Sequence, residues 1–184
     1  MPRALVMRLA IGTAVVWLAT SAGAQTFEHT LPSGHRLTVN ASIDGCDRAS
    51  ADSAASGPPT LHYVCQVASE EDGPRNARAE VTVAFIRDPL APTPRDYLLG
   101  QSLQWWPGLS DADRMSNISR QEKRLAGRQA TFWCLYRDDV MNLAGDAICL
   151  LDTPDAELVV RARSTMTFTA DEGVDAVLAG VSLR

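Results

Sequence analysis

Four cysteines, Cys46, Cys65, Cys134 and Cys149, constrain this chain more than any other feature. Crosslinks dictate which segments must lie side by side, and an even cysteine count in an exported chain reads as a disulfide framework. More than one pairing is open. We expect Cys46–Cys65 and Cys134–Cys149, because each closes a local loop worth about 3 kcal/mol by chain-entropy arguments. Metal binding is the rival reading, but the chain has no C-x-x-C and no histidine beside any cysteine.

The disulfide reading depends on export, and residues 1–24 carry the export signal. Arg3 and Arg8 form a basic start, residues 9–19 are an uncharged apolar run, and Ala22, Gly23 and Ala24 supply small residues before Gln25. A run of about 11 residues is too short to span a bilayer, so the segment is expected to be cleaved. No cysteine follows the cleavage point to take a lipid. The sequons at Asn40 and Asn117 matter only in a eukaryotic pathway, and the compact signal with its arginine bias points instead to a periplasmic or secreted protein of a Gram-negative bacterium.

Residues 25–184 are enough for a single domain with a real core. The whole chain carries a net charge of −5, and the leader contributes only arginines, so the remainder is more acidic still. Such a chain has no electrostatic footprint for nucleic acid. It also lacks the basic cluster that holds a protein on an anionic membrane, and it has no integral membrane segment after cleavage. Acidity suits a basic protein partner. Lys123 is the sole lysine among many arginines, which we read as codon bias rather than mechanism.

Polarity alternates over residues 26–31 and 35–39 around Pro32, Ser33 and Gly34, a hairpin signal. Residues 48–59 are small, polar and aperiodic, which predicts a surface loop. Residues 61–67 predict a strand with Leu61, Tyr63, Cys65 and Val67 on one face; Cys46 reaches Cys65 if the preceding loop lies over that face. After a turn at 69–76, residues 79–86 predict a strand with Val81, Val83 and Phe85 on one side. Three prolines between Asp88 and Pro94 break the sheet. Thr93 as N-cap with Pro94 at the first helical position predicts a helix to about Trp105, burying Leu98, Leu99, Leu103 and Trp106. A loop or short turn at 110–114 leads to strands over roughly 117–125, 128–137, 144–151 and 157–167. Gly127, Asp138–Asp139 and 153–155 mark the turns. Phe132, Cys134 and Tyr136 share a face, as do Ala147, Cys149 and Leu151. A last helix over 171–180, capped by Thr169 or Asp171, turns Val174, Val177 and Leu178 inward. Runs of strands with helices at a few points predict an α+β domain, an antiparallel sheet packed against two main helices.

From Ser119 onward the chain resembles the Mog1/PsbP-like α+β domain found in exported bacterial proteins. The resembling pieces are residues 121–130 (QEKRLAGRQA), the long meander, and Leu158, Val159 and Val160 leading to the terminal helix and residues 178–183; the helix over 96–106 fits the same plan. The resemblance implies a binding or accessory module and carries over no catalytic residue.

The remaining chemistry is sparse. His29 and His35 across the first hairpin begin a metal site, but no carboxylate or cysteine at ligand spacing completes it, so with His62 they read as surface histidines. No G-x-S-x-G elbow is present, and paired cysteines leave no thiol nucleophile. Asp138, Asp139, Asn142 and Asp146 gather in one loop without the calcium-loop spacing, which makes them an acidic contact rather than a cation site. Trp105, Trp106, Pro107, Gly108 and Leu109 form the most interesting patch. Neighbouring helical residues point about 100° apart, so one tryptophan is expected to anchor the helix and the other to lie near the surface. The expected function is non-catalytic, with no cofactor and no metal. Trp105, Trp106, Leu109, Asp138, Asp139 and Asp146 would engage another envelope protein, in the sharper form as an immunity or inhibitor protein against a toxin or hydrolase. The competing expectation is a small periplasmic hydrolase or metal-dependent enzyme.

Overall fold

The computed structural model describes residues 26–30, 34–40, 42–52, 60–67, 75–82, 93–139, 141, 144–153, 158–165 and 167–184. The export signal and the strand positions Val83 and Phe85 lie outside them. Strands β1 (Phe27–Thr30) and β2 (Arg36–Val39) form the expected antiparallel hairpin. A short strand, β10 (Val181–Leu183), covers the other edge of β2 and closes a three-stranded sheet. Gly180, just before it, passes so near Ile43 that a Cβ there would stand 2.4 Å from the isoleucine side chain.

The larger sheet has seven strands, all antiparallel. β3 (Cys46–Asp52), β4 (Thr60–Val67) and β5 (Arg75–Thr82) form one meander. β6 (Ile118–Leu125), β7 (Arg128–Asp139), β8 (Ala144–Leu151) and β9 (Val159–Ser164) form another, and β5 pairs with β9 to join them. The order is β3-β4-β5-β9-β8-β7-β6. The expected loop at 48–59 is a strand through Asp52. Its small polar residues have little strand preference of their own, and the pairing with β4 supplies the geometry instead. Cys46 stands in register with Cys65, so that disulfide bridges neighbouring strands rather than tying a loop over a face. Cys134 and Cys149 are likewise in register on β7 and β8 and form the second disulfide. β5 begins at Arg75, inside the expected turn. β7 runs on to Asp139, past the Asp138–Asp139 turn that its sequence suggested.

Helices cover both faces of this sheet. α1 (Pro94–Trp105) starts as expected: Thr93 accepts from the Asp96 N–H at 3.1 Å and donates to the Asp96 carboxylate at 2.6 Å. Its buried stripe differs from the expectation. It runs through Pro94, Leu98 and Ser102, and Leu103 is 49% exposed, because that i, i+4 line turns position 103 away from the sheet. Residues 111–116 are not a loop but a short helix, α2 (Asp111–Ser116), capped by Ser110. α3 (Thr167–Leu178) begins four residues before its expected start. The cap comes from the sheet: the Thr167 N–H donates to Asp138 at 3.2 Å, and Thr169 is buried within the first turn. Val174, Val177 and Leu178 point inward as expected.

Strand alternation sorts the core into two layers. Phe132, Cys134, Ala147, Cys149 and Leu151 face α3, with Leu61, Tyr63 and Cys65 of β4 and Leu37 and Val39 of the small sheet. Leu135, Ile148, Leu150 and Val159 face α1 and meet Leu98. Among the described residues no helix is long and apolar enough to cross a membrane. The fold is α+β, as expected, with two antiparallel sheets and three helices among the described residues.

One polar contact interrupts the α3 layer. Lys123, on the edge strand β6, is buried, and its ammonium donates to Asp171 at 2.7 Å and Asp175 at 2.9 Å. The Tyr136 hydroxyl donates to the same Asp171 at 2.8 Å, and burial followed by that bond pushes its ionisation far above the usual range. The sole lysine is therefore a pin between sheet and helix. Replacing it strands two carboxylates that are themselves partly solvated. Lys123→Met is therefore expected to cost about 1–3 kcal/mol in urea unfolding, with native secondary structure retained; a loss below about 0.5 kcal/mol would contradict the role.

Candidate functional site

The 105–109 corner is built by the end of α1. Trp106 is the C-cap, with non-helical φ −134° and ψ 69°, so the two tryptophans are not related by the helical step. Both are half-buried instead of one being buried and one exposed. Their rings meet edge to face at 5.8 Å and 89°, and both pack on the α1 layer of the core. Arg114, a buried arginine of α2, then fixes the chain that follows. Its guanidinium donates to the carbonyl of Leu109, to that of Trp106 at 3.4 Å, and to Asp111. The corner is thus a rigid projection with Leu103 and Leu109 exposed, the latter at 41%.

Beside the corner, between α1 and strands β8 and β9, lies a cleft of about 360 Å³ lined by Gln101, Gln104, Trp105, Asp146, Ile148, Arg161 and Arg163, among others. Register explains the lining. Arg137 on β7, Asp146 on β8 and Arg163 on β9 form one row across the sheet, on the face that α1 covers. Arg161, two pairs further along β9 and on the same face, donates to the Tyr97 hydroxyl at 3.0 Å and the Gln101 amide oxygen at 3.3 Å. Arg137 lies over the Trp105 ring at 5.8 Å and pairs with Asp139. Burial raises the Asp146 carboxyl above the usual carboxylate range, opposed by Arg163 and Arg137 and aided by Asp139.

These placements divide the residues expected to act together. Trp105, Trp106 and Leu109 share the corner, and Asp139 and Asp146 lie on the same sheet face near it. Asp138 points to the opposite face and caps α3, and Asn142 lies outside the described residues. Arg137, Arg161 and Arg163 were not anticipated. The signal was the alternation Val159-Val160-Arg161-Ala162-Arg163, which sets both β9 arginines on one face at period two. His29 stands opposite Leu37 rather than His35 in the hairpin register. Among the described residues no three His, Cys, Asp or Glu side chains gather where a metal could be held, and all four cysteines are in disulfides.

Comparison with protein-family models, with curated proteins and with solved structures found no match to this chain.

The raised Asp146 carboxyl has a sign that can be measured. The folded state holds this proton more tightly than the unfolded chain, so Asp146 stabilises the fold below the ordinary value of 3.8. That contribution is lost as pH rises from there through the raised folded value. Asp146→Asn should remove this fall, read as a flatter dependence of unfolding free energy on pH above 3.8. An unchanged slope would contradict the assignment.

Proposed function

We propose that this chain is an exported, non-catalytic binding protein of the Gram-negative periplasm, on a Mog1/PsbP-like plan, that engages another envelope protein through the 105–109 corner. One observation carries the reading: a tryptophan pair immobilised by packing and by Arg114 holds Leu103 and Leu109 in solvent. Rigid aromatic anchors with exposed aliphatic neighbours are what protein interfaces favour, since little side-chain freedom remains to be lost on binding. Two disulfides fit an oxidising compartment. In the sharper form of this reading the partner is a toxin or hydrolase, and the protein acts as its immunity or inhibitor protein.

The test begins with photo-crosslinking from positions 103 and 109 in envelope extract, identification of the captured protein, and its purification. Leu103→Glu combined with Leu109→Glu should weaken affinity for that protein at least tenfold, about 1.4 kcal/mol, while leaving the unfolding midpoint unchanged. Wild-type affinity in the double variant would overturn the corner as the interface.

A further inference from the structure

The cleft beside the corner has a charge opposite to that of the chain. The protein is acidic overall, at −5. Around the cleft, the described side chains Arg137, Arg161 and Arg163 outnumber Asp139 and Asp146. Nor are the guanidiniums fully used. The Arg163 Nε stands 3.6 Å from Asp146, too far for a hydrogen bond, and the side chain is 63% exposed against 15% for Asp146. Among the described residues, the bonds of Arg161 run from one nitrogen, to Tyr97 and Gln101, which aim the group along the cleft.

Apart from Asp146, the walls that are not cationic are apolar or amide. Trp105 and Ile148 supply the apolar part, and Gln101 and Gln104 supply amide groups. A guanidinium matches a carboxylate in shape and binds it through charge-assisted bonds. A volume of about 360 Å³ lies at the lower end of the range for ligand-binding clefts, room for one or two side chains rather than a large cofactor. Trp105 belongs to both the corner and the cleft, so whatever seats on the first is brought to the second.

From this juxtaposition we propose that the cleft between α1 and β8–β9 receives an acidic side chain, with an apolar neighbour, from a peptide segment of the protein that docks on the corner. The proposal rests on the corner as an interface and reverses the expectation from net charge. An acidic chain was expected to seek a basic partner. The contact that this face can make is with an acidic segment, Arg163 binding the carboxylate and Trp105 covering the adjoining apolar side chain. Asp146 sets the selectivity: half-buried and 3.6 Å from Arg163, it holds the guanidinium loosely and leaves it to a better-placed carboxylate.

The test uses the exported protein, isotope-labelled and with its disulfides intact, titrated in turn with three probes. These are a blocked tetrapeptide of sequence LEEL, its neutral isostere LQQL, and glutarate. The expected result is saturable shifts of the Trp105 indole N–H and of the Arg161 and Arg163 side-chain N–H signals with LEEL. Binding should be at least tenfold weaker for LQQL, for glutarate, and for LEEL with Arg163→Gln, and unchanged for the distant Arg128→Gln. Equal binding of glutarate would overturn a peptide occupant in favour of a small carboxylate. Absence of saturable shifts, or indifference to Arg163→Gln, would overturn the site. Loss of partner affinity on changing Leu103 and Leu109, with none on changing Arg163, would sink the cleft and spare the corner. The converse pattern would sink the corner.

Discussion

The pairing of β7 with β8 is the constraint on which the rest of this structure depends. Its buried apolar positions serve one of two cores. Phe132, Cys134, Cys149 and Leu151 build the α3 layer, and Leu135, Ile148 and Leu150 build the α1 layer. A slip of one residue would exchange the two sets, placing a disulfide against α1 and the charged row of Arg137 and Asp146 against α3. The Cys134–Cys149 crosslink excludes that slip, since it closes only in the observed register. Position of the helices, and therefore of the corner and the cleft, follows from this register.

Electrostatics add a second layer of specification at the sheet's exposed side. β6 is an edge strand, and edge strands invite pairing with other chains. Lys123 points a charge inward from that edge, a device that makes a foreign strand a poor substitute. Its aspartate partners hold α3 against the same edge. At the first residue of α3, Asp138 of β7 accepts from the Thr167 N–H and caps the helix. The acidic residues that looked like one surface in the sequence therefore have separate duties: Asp138 terminates a helix, while Asp139 and Asp146 temper arginines.

Local signals were legible and tertiary ones were not. Thr93 and Pro94 marked the start of α1, because capping is decided within one turn. The alternation of residues 61–67, of Phe132, Cys134 and Tyr136, and of Ala147, Cys149 and Leu151 marked strands that crosslink, because period two is a property of neighbours. Local loop closure favoured the observed cysteine pairs. By contrast, β3 is a strand only because β4 lies beside it. The first turn of α3 depends on an aspartate about thirty residues earlier. Helical spacing of the apolar residues puts Leu103 on the buried stripe, yet the line of Pro94, Leu98 and Ser102 faces the sheet. Of the site, the Trp105–Leu109 corner was visible as a motif, whereas the arginine-lined cleft was not, since it requires β7, β8 and β9 in register beneath α1.

The central claim is that the α1 face, and not the α3 face, is where this protein meets its partner. Hydrogen–deuterium exchange of the protein alone and in complex with the purified partner tests it most directly. The account predicts slowed exchange over residues 101–109 and 159–164, with α3 and the β1-β2-β10 sheet unaffected. Protection confined to α3 or to that small sheet would contradict it.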